Sequence, residues 1–147
     1  MQTKKAQAAM EFLMTYGWAI LVVLVAIAAL AYFGVLTPTK FLPERCTMPS
    51  GIACLDHKAS ASTGQIQMIF QNGMGVDIQN VVLTIPGCTA SSPLNLTNGG
   101  SGTLTATACA LTAGGRFNND NVSVSYTNAD TGLNHIKIGS LTTKVES

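Results

Sequence analysis

Between Phe12 and Leu36 the chain carries 25 consecutive residues without a charge, and this run limits what the protein can be more than any other feature. As a helix rising 1.5 Å per residue it is about 37 Å long, more than the ~30 Å hydrocarbon core of a bilayer. Apolar residues occupy its whole circumference, so it needs lipid or other helices on every side. Pro38 disfavours helical geometry in the residue before it, which predicts a helix over residues 7–36. Lys4 and Lys5 precede the run; by the positive-inside tendency they keep the N-terminus in the cytoplasm and send residues 37–147 outside. A cleaved secretory signal fits poorly, because its apolar region is only about 7–15 residues long and ends at a small-residue cleavage site.

The threshold of the run reads Lys4-Lys5-Ala6-Gln7-Ala8-Ala9-Met10-Glu11. This resembles the class III signal of archaeal type IV pilins, which a membrane aspartic peptidase, the prepilin peptidase, cuts just before the apolar segment. In that family the mature chain starts with glutamine and carries glutamate at its fifth position, within the pattern Q-x-S-x-E-x-x-x-L. Gln7 and Glu11 fall on those two places. Ala9 stands where the family often has serine, and Thr15 where it often has leucine. The start Gln-Ala-Ala-Met-Glu differs from that of the archaellin branch. The resemblance covers residues 1–36 and implies a cut between Ala6 and Gln7 that removes both lysines. Glu11 would then lie near the N-terminus of the mature helix, where a negative charge complements the helix dipole. It could also neutralise the new α-amino group of Gln7 in its own or a neighbouring subunit.

From Thr37 onward six Lys/Arg face six Asp/Glu, and charged residues make up 10% of the whole chain. No basic patch for nucleic acid and no acidic tail is present. Pro38, Pro43 and Pro49 mark residues 37–58 as a neck between helix and outer domain. Beyond it the period changes to two. Ile66, Met68 and Phe70 alternate with glutamines, and Val122, Val124 and Tyr126 alternate with serines, as half-buried strands do. Further strands are expected over residues 80–87, 103–111 and 135–145, the last bulged at Gly139. Asn72-Gly73, Pro86-Gly87, Asn98-Gly99-Gly100 and Gly114-Gly115 supply turns. The fold expected is α+β: a long apolar helix, then an antiparallel β-sandwich over residues 59–147.

Four cysteines, Cys46, Cys54, Cys88 and Cys109, follow the run on the side expected to be outside. An even count in a small exported domain implies two disulfides, with three possible connectivities. Cys46–Cys54 with Cys88–Cys109 is favoured, since the first closes a short loop and the second ties neighbouring strands. Zinc is the competing reading; no C-x₂-C pair occurs, and His57 and His135 are far apart in sequence, so neither a metal nor any other cofactor is expected. Asn95-Leu96-Thr97 and Asn121-Val122-Ser123 match the N-glycosylation pattern, with Asn95, expected in a loop, the better acceptor. Ser, Thr and Asn number 30 of the 89 residues from 59 to 147, so such matches also arise from composition. No nucleophile, glycine-rich phosphate loop or catalytic pair is apparent, and an enzyme is not expected.

Taken with the apolar run and the neutral outer domain, the resemblance implies a structural subunit of a cell-surface filament, adhesive in role. It waits in the cytoplasmic membrane, is cut by prepilin peptidase, and is assembled by pilus machinery with identical subunits into a helical homopolymer. The rival reading is an uncut, monomeric, membrane-anchored binding module.

Overall fold

A computed structural model describes residues 2–34 and 42–147. It divides into two compact units, residues 1–42 and 43–147. The first is one helix, α1 (Gln2–Tyr32, 31 residues). It starts before the expected position, because Lys4, Lys5 and Ala6 are good helix formers and nothing in residues 2–6 breaks the helix. It stops earlier than Pro38 alone would require. Gly34 adopts φ of 70°, its N–H bonds the carbonyl of Ala31, and the N–H of Phe33 bonds that of Ala29. A left-handed glycine just past the last turn is a common helix stop. Residues 35–41, which include the expected helix end and the start of the neck, lie outside the described residues.

The second unit contains eight strands: β1 (Arg45–Thr47), β2 (Ile52–Ser60), β3 (Gln65–Asn72), β4 (Ile78–Thr84), β5 (Leu94–Leu96), β6 (Ser101–Ala106), β7 (Arg116–Asn128) and β8 (Asn134–Glu146). Their order is β5-β4-β7-β8-β2-β3-β6, with β1 paired to β8 beside that path. All pairings are antiparallel except a short parallel one between β2 and β8 at Ala59–Val145 and Ser60–Glu146. That contact joins what would otherwise be two faces of a sandwich. At the far ends an isolated bridge, Thr89 to Thr107, brings the chain after β4 beside the chain after β6. The sheet is therefore nearly closed. Helix followed by antiparallel sheet is the architecture expected, and the wrapping is the added detail.

Alternation explains the core. In β3, Ile66, Met68 and Phe70 are buried while Gln67 and Gln71 are exposed. They meet Val81, Leu83 and Ile85, Leu104 and Ala106, Val122, Val124 and Tyr126, and Leu141 and Val145 in one cluster. Each large side chain so buried contributes on the order of 1.5–3 kcal/mol. Among the described residues, Asn72 is one of three buried polar ones, with Ser91 and Thr143. Its amide donates to the carbonyls of Val76 (2.7 Å), Leu96 (3.3 Å) and Thr97 (3.1 Å), and its Oδ1 accepts from the N–H of Met74 (3.0 Å). This ties the end of β3 to the β5–β6 turn and pairs the side-chain amide of Asn72 in the dry interior.

The sheet unit begins at Pro43, so β1 and most of β2 fall within the stretch assigned to the neck. Pro43 and Pro49 flank the three-residue β1 without interrupting it. β2 escaped the period-two search because its register shifts between Cys54 and Asp56; Leu55 is the extra residue, and the alternation changes phase there. The bulge expected at Gly139 lies on the facing strand instead. Asp120 and Asn121 of β7 both oppose Ser140, since Asn119 pairs with Leu141 and Val122 with Gly139. Gly139 serves a close approach: a Cβ there would collide with the carbonyl oxygen of Thr47 and Sδ of Met48.

Candidate functional site

Two regions carry chemistry. The first is the surface of α1. Thr3–Tyr32 is long and apolar enough to cross a membrane, and none of its side chains is buried. Trp18 is 69% exposed and Leu21 62%. A helix with this composition cannot remain so in water, because each exposed large apolar side chain forgoes on the order of 1.5–3 kcal/mol. Gln7 and Glu11, one turn apart, share a face with Ala6, Met10 and Met14, and the five line one shallow groove. Glu11 is the only acidic residue of the helix. Its backbone carbonyl accepts the hydroxyl of Thr15 at 2.8 Å. The first turn of α1 contains no acid, and Glu11 is too deep in it for the dipole effect, which fades within one turn. Ala6 and Gln7 sit inside continuous helix.

The second region is the cross-linked end of the sheet. Cys46 is bonded to Cys54, joining β1 to β2 across 6.0 Å between Cα atoms. Cys88 is bonded to Cys109, one following β4 and the other β6. This second bridge staples the seam where the sheet closes, beside the Thr89–Thr107 pair. Closing a loop of about 15 residues contributes on the order of 3 kcal/mol.

The structure also assembles a group that a search for paired C-x₂-C motifs misses. His57 offers a ring nitrogen within 4.8 Å of the sulfurs of both Cys46 and Cys54, which lie as close to each other. Nε2 of His57 is buried without a hydrogen-bond partner and lies 4.0 Å from Oε2 of Glu44. The available signal was Cys54-x₂-His57. In a regular strand residues three apart face opposite sides. The Leu55 bulge cancels one step, so Cys54 and His57 share the inward side with Ile52 and Ala59. The other histidine, His135, is elsewhere, stacked on Tyr126 at 5.4 Å.

The two glycosylation candidates differ in setting. Asn95, expected in a loop, is the middle residue of β5. It opposes a bulge in β4, and its Oδ1 accepts the N–H of Asn80 at 3.0 Å. Asn121 lies in the β7 bulge and is exposed, its N–H donating to Oδ1 of Asn119 at 2.8 Å. Leu133, Ile136 and Ile138, at the hairpin end of β7 and β8, are also exposed.

Comparison with protein-family models and with curated proteins finds no match for this chain.

Proposed function

We propose that this protein is a subunit of a type IV pilus-like surface filament, cut between Ala6 and Gln7 and assembled through α1. The observation that carries this reading is a 31-residue apolar helix with no buried side chain among its described residues, bearing Gln7 and Glu11 at its threshold, alongside a sheet domain with a complete core of its own. The helix needs cover from outside the chain. Lipid supplies it before assembly, and the helices of identical subunits supply it afterwards. Small residues such as Ala26, Ala28, Ala29 and Ala31 allow close helix approach where lipid offers no hydrophobic drive for association. Cutting before Gln7 first requires the initial turn to open, which helix ends do at low cost. Glu11 then becomes the fifth residue of the mature chain and can face an α-amino group. Leu133, Ile136 and Ile138 offer apolar surface for neighbouring sheet domains, while the Ser/Thr/Asn-rich exterior suits adhesion.

Glu11→Ala tests the assembly role. Removing one member of a buried ion pair typically costs ~3–5 kcal/mol, repeated at every subunit. Export, cutting and sheet folding should stay intact while filaments disappear. Filament yield in sheared surface material, seen by electron microscopy, is compared with the amount of processed protein in the membrane fraction. Normal filaments from fully cut Glu11→Ala chains would show that Glu11 only meets lipid headgroups. Wild-type cells holding this chain solely as an uncut membrane monomer would favour an anchored binding module.

A further inference from the structure

We propose that Cys46, Cys54, His57 and Glu44 form a site with two states: a cystine when oxidised and, once reduced, a tetrahedral site for Zn²⁺ or a similar borderline divalent ion. The inference is independent of filament assembly. Three ligand atoms, two sulfurs and an imidazole nitrogen, already lie within 4.8 Å of one another. Zn–S bonds of about 2.3 Å and Zn–N bonds of about 2.0 Å place donors around one ion roughly 3.3–3.8 Å apart. Breaking the sulfur–sulfur bond lets the thiolates part to that spacing, and small side-chain rotations do the rest.

Two further observations point to a ligand. Nε2 of His57 is buried with no hydrogen-bond partner, and buried polar atoms are nearly always paired. Glu44 supplies the fourth donor with Oε2 at 4.0 Å from Nε2, while its Oε1 accepts the backbone N–H of Lys144 at 3.1 Å. That bond holds the carboxylate against β8, as groups supporting a metal ligand commonly do. The resulting set, two thiolates, one imidazole and one carboxylate, is of the kind that binds zinc. Among the described residues, Cys88 and Cys109 have no such third group near them.

The chemistry balances. A two-electron thiol reductant breaks the bond and leaves two thiols; the ion then displaces both thiol protons as it binds. Either state keeps β1 fastened to β2, and losing both would leave β1 held chiefly by its three pairs to β8.

The test uses the full chain in detergent micelles, reduced with a phosphine, which competes poorly for the ion, and titrated with Co²⁺ as the spectroscopic probe. We expect one equivalent to bind with thiolate-to-cobalt charge transfer and the intense visible bands of tetrahedral Co²⁺, both removed by Zn²⁺. The oxidised chain should show neither. His57→Ala should weaken binding at least tenfold, Glu44→Gln should weaken it less, and His135→Ala should match wild type. His57→Asn is read alongside, with circular dichroism confirming the sheet in each variant. A reduced wild-type chain lacking the tetrahedral spectrum overturns the proposal, as does a spectrum and affinity unchanged in both His57 variants.

Discussion

The helix and the sheet domain solve the same problem in opposite ways. The sheet domain buries its own apolar residues, with Phe70, Ile66, Met68 and their neighbours fully enclosed. The helix is at least as apolar and encloses none. A small domain that must stand in water needs a core and often covalent staples as well, and this one has both. A helix long and apolar enough to cross a membrane needs neither. It needs length, apolarity and a defined end. The two units therefore answer to different solvents, and a substitution should be felt in one and not in the other.

The largest separation should come from matched truncations. Phe70→Ala opens a cavity in a closed core and should cost the sheet domain about 3–5 kcal/mol. Leu21→Ala, on an exposed helix face, should leave that domain unchanged. The protein has a single tryptophan, Trp18, on the helix, so its fluorescence follows the helix while hydrogen exchange of the β3 and β7 amides follows the sheet. Denaturant titration of the detergent-solubilised chain reads both. A shift of the sheet transition in Leu21→Ala comparable to that in Phe70→Ala would refute the separation.

Next in size is the seam staple. Replacing Cys88 and Cys109 together by alanine should destabilise the sheet by roughly 3 kcal/mol, the loop-closure value, plus the loss of partly buried sulfur. The seam is otherwise joined by the Thr89–Thr107 bridge, by Asn72, and by Leu94 and Leu96 of β5 packed against Gly102 of β6. Hydrogen exchange should therefore quicken first at the amides of Thr89 and Thr107. If those amides stay protected while the domain melts elsewhere, the seam is not where the bridge acts. Gly139→Ala should cost less, about 1–3 kcal/mol, as typical overpacking does. The new methyl meets the Thr47 carbonyl and Met48, so β1 should move away from β8. The check is selective loss of protection at the three β1 residues, and uniform destabilisation would count against this account.

How far the sequence could be read follows from the same contrast. The helix was legible because an uncharged run of 25 residues has few other uses. β3, β7 and β8 were legible wherever alternation was unbroken, as at Ile66, Met68 and Phe70. Strands with bulges were harder. In β4 the buried residues run Ile78, Val81, Leu83, a step of three and then two, because Gln79 and Asn80 share one partner position. β2 changes phase at Leu55 for the same reason, which hid both the strand and the meeting of Cys54 with His57. A bulge depends on what the neighbouring strand offers, and one strand's pattern does not contain that. β1 and β5 are three residues long, too short for any period.

The smallest effect concerns the helix alone and its stop. Gly34 has φ of 70°, a left-handed conformation that glycine adopts freely and alanine adopts at a cost of about 1 kcal/mol. In Gly34→Ala that cost falls on the closing bonds, from residue 34 to the carbonyl of Ala31 and from Phe33 to that of Ala29. A penalty of about 1 kcal/mol corresponds to roughly a fivefold change in an opening equilibrium, so these two amides should exchange about fivefold faster. Amides in the middle of the helix should be unaffected, because opening at an end does not propagate through well-formed turns. The sheet domain should melt as before. Hydrogen exchange of the micelle-bound chain, resolved at Phe33 and residue 34, is the measurement. Unchanged exchange at both would mean that the helix is ended by something other than the glycine.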